Sequence, residues 1–232
     1  LELNKIAPDF ICPLSHLYQK NRASMTIFTS LLHLGLDFIT VTNSQKVSPC
    51  SEPVTEILFF DSNVRDFQHL LSGIRPGIYP LLLKGETDGI FQLTDHLSQF
   101  KNLEAIHLVC YGNPGEIYLG NTRLNLSNLS VYLPSFQQWS NALNPQADLL
   151  IYSCEVAEGW QGRAFVKALS QITQTSVAAT TEKLGQGDWD FPFKTGEIKT
   201  ELAFQPQVLS TYHHHLAFSV TANHNSQEFL NT

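Results

Sequence analysis

Between residues 56 and 181 the apolar positions take two alternating forms. Short, nearly continuous runs appear at EILFFD (56–61), IYPLLLK (78–84), EAIHLVCYG (104–112), ADLLIYSC (147–154) and SVAATT (176–181). Such runs, bounded by turn residues, predict strands buried on both faces. The stretches between them space apolar residues three or four apart. Val64, Phe67, Leu70, Leu71 and Ile74 do so in 63–74, Ile90, Leu93, Leu97 and Phe100 in 88–100, and Phe165, Leu169 and Ile172 in 159–173. That period predicts helices. Residues 127–143 are read as mostly helix, with Pro134 near its start or at a kink. GEIYLGNTRLNL (115–126) interrupts the alternation and predicts a hairpin turning at Gly-Asn. GQGDWDFPF (185–193) is read as a turn into an extended piece.

Five strands alternating with helices predict an α/β fold: a mostly parallel sheet sandwiched by helices, in three layers. In open parallel sheets, ligands sit at the carboxyl ends of strands. Three such ends carry chemistry here: Asp61, the Cys110–Tyr111–Gly112 step, and Ser153–Cys154.

Composition narrows the function classes. Hydrophobic residues make up 43% of the 232 and charged residues only 15%, so a sizeable core is available. The net charge of −7, with no basic run, argues against nucleic acid as a partner. GxGxxG, a P-loop lysine motif and GxSxG are all missing, which removes the common nucleotide and serine-hydrolase readings. No cofactor is expected. Cys12, Cys50, Cys110 and Cys154 form no CxxC pair and show no zinc spacing. His213–His215 alternate faces if extended, so they do not converge on one ion, and no metal is expected. Residues 25–41 are apolar but too short and too polar for a membrane span, and they lack a convincing signal-peptide pattern. Residues 43–55 read as a linker, so 1–52 is taken as an N-terminal extension.

A thiol at a strand end becomes a nucleophile when a base stands on the neighbouring end. His107 lies four residues before Tyr111 on the same face, but that is about 13 Å of strand, which places it deep in the sheet. Cys110 faces the other way, as a small buried thiol or as a redox partner of Cys154. Trp189, between Asp188 and Asp190, is expected to be a packing anchor.

Several pieces together resemble a known family. They are ILFFDSNV (57–64), AIHLVCYGNPGEIYLGNTRLN (105–125), ADLLIYSCEVAEGWQGRAFVKALSQITQTSVAAT (147–180), GDWDF (187–191), TGEI (195–198) and LSTYHHHLA (209–217). In this order they resemble domain-of-unknown-function family 4347, which is similar to the caspase-like clan of cysteine peptidases. The resemblance implies a caspase-like domain over 53–216. Residues 217–232 then form a tail that looks like the beginning of a further repeat region. It also implies a Cys154 nucleophile and a histidine base at the place where this chain has Tyr111. A phenol, with a reference pKa of about 10, is a poor replacement for that base. From the residues alone, Gly112, Gly115 and Gly120 fit tight turns, or a backbone amide facing an oxyanion, with Gly112 the candidate for the latter. Asp61 is implied to line a pocket for Arg or Lys; from the residues alone the favoured reading is a cap for the helix at 63–74. Asp188 is placed at the border of the same cleft.

Three functional expectations follow. The first is a degenerate peptidase domain serving as a non-catalytic module of a bacterial surface or adhesin-like protein. The second is an active cysteine endopeptidase using Cys154 for self-processing or cleavage at basic residues. The third is a secretion or assembly module without a peptide cleft. A peptide or protein ligand is the expected partner, and the family context points to the cell surface or exterior.

Overall fold

The computed structural model describes residues 53–217. The expectations for 1–52 and 218–232 lie outside the described residues.

Among the described residues, nine strands occur in the order β1 (Glu56–Asp61), β2 (Ile78–Leu83), β3 (Leu103–Val109), β4 (Tyr111–Asn113), β5 (Glu116–Leu119), β6 (Thr122–Asn125), β7 (Leu143–Tyr152), β8 (Ser176–Ala179) and β9 (Phe193–Lys194). Six build the central sheet in the order β2-β1-β3-β7-β8-β9. All pairs in it are parallel except β8–β9. The remaining three form a small antiparallel sheet, β4-β5-β6.

Five α-helices accompany them: α1 (Phe67–Leu71), α2 (Gly89–Leu97), α3 (Leu133–Trp139), α4 (Gly159–Thr173) and α5 (Pro206–Thr211). Side-chain parity divides them between the two faces. Ile57, Phe59, Ile106, Leu108, Leu149, Ile151 and Val177 bury against α2, α3 and α4. Leu58, Phe60, Val109, Leu150, Tyr152 and Ala178 bury on the opposite face, against Leu70 of α1 and Leu209 of α5. Successive strand residues point to opposite faces, so a sheet covered on both needs apolar residues at both parities. This explains the unbroken apolar runs in the sequence.

Local chemistry sets the element ends. Asp88 caps α2: its Oδ1 accepts from the backbone N–H of Ile90 (2.8 Å) and Phe91 (3.1 Å), and its Oδ2 from the Tyr132 hydroxyl (2.7 Å). The predicted 115–126 hairpin is present as β5 and β6, turning at Gly120-Asn121. Gly120 has φ +60°, and a Cβ there would lie 2.0 Å from the Thr87 carbonyl oxygen, so the turn needs glycine.

Other boundaries differ from the sequence pattern. The helix expected over 63–74 is only one turn and a half, because Asp66 adopts a left-handed conformation (φ 53°) just before it. Pro134 lies in the first turn of α3, preceded by a 3-10 turn at Leu129–Tyr132, so the expected 127–143 helix is split. The run 104–112 divides at Cys110. The chain leaves the central sheet after Val109, and Tyr111 pairs with Tyr118 instead. Helix α5 has no clear apolar period and was not anticipated.

His107 is fully buried in β3, as its depth in the strand requires. Its Nε2 lies 3.1 Å from the Glu56 carboxylate and its Nδ1 3.2 Å from the Tyr152 hydroxyl. Burial pushes His107 below its ordinary range, while its hydrogen bond and Arg75 hold Glu56 down. The consistent assignment is a neutral imidazole, with Nε2–H donating to Glu56 and Nδ1 accepting from Tyr152. Arg75 completes the network at 2.9 Å from Glu56, and the Ala203 N–H donates to the Tyr152 oxygen at 2.8 Å.

Candidate functional site

Strands β3 and β7 are neighbours, with Val109 paired to Tyr152. The N–H of Cys110 still bonds to the Tyr152 carbonyl (3.2 Å). The segments carrying Tyr111 and Cys154 therefore leave the sheet side by side at its carboxyl edge. Cys154 belongs to the apolar layer with Val109, Leu184, Tyr212 and Leu216. Cys110 belongs to the layer on the other face. Both thiols are free, so the redox pairing left open by the sequence is not formed.

The Cys154 thiol is fully buried. Its Sγ accepts from the Leu184 N–H (3.1 Å) and approaches the Leu184 carbonyl at 3.4 Å. Burial pushes its pKa up to about 11; the Leu184 N–H opposes this and the Glu155 charge adds to it. At pH 7 such a thiol is ionised in only about one molecule in 10⁴, whereas an ordinary cysteine is ionised to a few per cent. The backbone N–H of Cys154 donates to the Leu216 carbonyl (3.1 Å).

Tyr111 is half-buried. Its hydroxyl accepts from the Arg65 N–H (2.8 Å). Gly112 packs so closely that a Cβ would lie 2.3 Å from Ser153 Oγ and 2.8 Å from Val156 Cγ2. It also forms a parallel bridge to Ala217. The position proposed for oxyanion contact is thus a tight backbone crossing.

Asp61 is buried at the end of β1. Its Oδ1 accepts from the Asn63 N–H (2.8 Å) and its Oδ2 from the Gly120 N–H. Burial raises its pKa, and these two amides pull it back. The Asn63 bond stabilises a local turn, and the Gly120 bond ties the hairpin to β1. Asp188 is exposed. Its backbone exchanges two hydrogen bonds with Gly185 (2.8 and 3.1 Å), closing the loop that follows Leu184. Trp189 is a packing anchor: it is 8% exposed, and its Nε1 donates to the Leu209 carbonyl (3.0 Å).

The histidine run separates. His213 is exposed, His214 meets Tyr212 edge-on, and His215 bridges to Gly185. Among the described residues, no group of three His, Cys, Asp or Glu side chains gathers as a metal site. No helix among them is long and apolar enough to cross a membrane. Two open cavities, of about 400 and 340 Å³, are lined by residues such as Ser170 and Lys199, and Phe191 and Leu202; neither includes Cys154.

Leu184, Tyr212 and Leu216, which enclose the thiol, were not identified from sequence as site residues. Leu184 and Leu216 act largely through backbone atoms, which carry no residue signature. The conformationally unusual Gly185 between two polar segments was the available hint.

Fold and site together define a three-layer α/β domain whose strand-end thiol is enclosed by its own loops. The family model described as domain of unknown function (DUF4347) matches residues 57–216, and the chain belongs to this family. No curated protein matches the sequence significantly.

Proposed function

We propose that this is a degenerate caspase-like cysteine-peptidase domain, a pseudo-peptidase acting as a non-catalytic module of a bacterial surface or adhesin-like protein. One observation carries the reading. Where a peptidase of this kind would present a base to Cys154, the chain has Tyr111, whose hydroxyl is engaged with the Arg65 N–H. The high pKa of the enclosed thiol agrees with this, because a nucleophile without a base must already be ionised. Loss of a general base costs on the order of 10²–10⁴ in rate. The surface context rests on the family resemblance. The engagement of both Asp61 oxygens favours a scaffolding role there over a pocket for basic residues.

The test compares wild type with Cys154→Ala against fluorogenic peptides carrying Arg, Lys or Leu before the reporter, and against the chain itself. Equal background rates are expected. Cleavage that disappears in Cys154→Ala would make the domain an active endopeptidase, with the preferred peptide showing its specificity.

A further inference from the structure

The segment His213–Ala217 passes beside the thiol, with isolated bridges at His215 and Ala217 and a bend at Leu216 between them. The Leu216 N–H donates to the Leu184 carbonyl (3.0 Å), and His215 forms an antiparallel bridge with Gly185. The Leu216 carbonyl accepts the Cys154 N–H, and Ala217 bridges Gly112 in parallel. This one short segment therefore touches backbone on both sides of the cleft and the amide of the nucleophile position itself.

One glycine makes the approach possible. At Gly185 (φ +116°) a Cβ would lie 2.1 Å from the His214 carbonyl oxygen and 3.1 Å from His215 Cα. The Leu216 side chain is fully buried in the layer containing Val109, Cys154, Leu184 and Tyr212. A charged side chain in that place would be desolvated in an apolar layer, a costly arrangement without a partner. Main-chain pairing for affinity and one buried side chain for selection are the elements of strand-addition peptide recognition.

We propose that the groove between Gly112 and Leu184–Gly185 is a peptide site selective for an aliphatic residue, paired through main-chain bridges on either side of that residue, and that His215–Ala217 occupies it in cis. The proposal rests on reading the Cys154 edge as a peptide cleft, but not on the loss of catalysis. The occupying segment keeps the thiol from reagents and the groove from other peptides.

The experiment is alkylation of the full chain by iodoacetamide, with Cys154 and Cys110 quantified separately by mass spectrometry. Cys110 is equally buried but lies on the other face, so it reports global unfolding. In wild type both should react slowly. In Leu216→Asp, Cys154 should react at least tenfold faster while Cys110 stays slow. A synthetic peptide TYHHHLAFS should then slow Cys154 again, and the same peptide with Asp in place of Leu should not. If Cys110 accelerates in step, the variant has unfolded, and the milder Leu216→Ala is judged by the same two criteria. Continued protection of Cys154 in a folded variant would overturn the proposal, as would failure of the leucine peptide to restore protection. Cys154-dependent cleavage in the preceding test would sink the pseudo-peptidase reading and leave this one standing.

Discussion

Tyr111 and Tyr212 hold the backbone of one residue, Arg65, on its two sides. The Tyr111 hydroxyl accepts the Arg65 N–H at 2.8 Å, while the Tyr212 hydroxyl donates to the Arg65 carbonyl at 2.7 Å. Tyr111 thus ties the β1–α1 loop to the strand end beside Cys154.

Removing that tie gives the first prediction. Tyr111→Phe keeps the ring and loses the acceptor for the Arg65 N–H. It should lower stability by about 1 kcal/mol, the usual net worth of one hydrogen bond. A urea midpoint unchanged from wild type would show that solvent replaces the tyrosine oxygen without cost.

Alkaline pH should destabilise the domain through Cys154. Its pKa rises from an ordinary 9.0 to about 11 on folding. Between those values the unfolded chain releases a proton that the folded chain keeps, so stability falls as pH rises. Full ionisation of the unfolded thiol alone would give a slope of about 1.4 kcal/mol per pH unit. Cys110, Tyr152 and Tyr212 are also pushed up by burial and add to the loss. Cys154→Ala should therefore show a shallower decline above pH 9 in urea titrations. An identical slope would mean that the thiol is not protected by folding.

Acid pH should act through the His107 network, with the opposite sign. Folding lowers the His107 pKa, chiefly by desolvation. Below an ordinary value of 6.5 the unfolded chain takes up a proton first, so stability falls as pH falls through that value. Glu56, held down by His107 and Arg75, loses its contribution at lower pH, as it protonates below its ordinary 4.5. His107→Leu should cost about 1–3 kcal/mol at pH 8, because it leaves the buried Tyr152 hydroxyl without its acceptor. It should also flatten the stability profile just below pH 6.5. His96, likewise lowered by burial, maintains a residual slope. A variant with the full wild-type slope would assign acid sensitivity to His96.

The cap of α2 offers a control outside the contacts of the thiol. Asp88→Ala removes an acceptor from two helix N–H groups and one tyrosine hydroxyl. A loss of about 1–2 kcal/mol is expected in thermal or urea unfolding, with Cys154 alkylation unchanged. Faster alkylation would mean that the cap and the enclosure of the thiol are coupled.

The sheet was legible in the sequence because burial on both faces leaves a distinctive composition. Ile57 and Leu58 look alike in sequence and differ only in the face they take. The placement of Cys154 and Tyr111 on adjacent strand ends followed from the resemblance and from parallel-sheet geometry. The enclosure of the thiol did not follow. It depends on backbone atoms of Leu184 and Leu216, more than 30 residues apart, and on a helix, α5, whose short polar sequence shows no period. Asp61 was visible as a strand-end acid, but its two amide partners arise from a turn and from a hairpin 59 residues away.

The division of the core between two faces also sets an order of assembly. A chain emerging from the ribosome delivers β1 to β8, and α2 to α4, before any residue beyond 179. One face of the sheet can be covered at that stage. Much of the other waits for Leu184, Trp189, Phe191, Phe204, Leu209, Tyr212 and Leu216. Domains form from the N-terminal side at about 5–20 residues per second during synthesis. For several seconds the nascent sheet therefore has one apolar face largely bare, and the segment that seals the thiol is the last part of the described domain to arrive. Within this fold, closing the site and finishing the core are the same event.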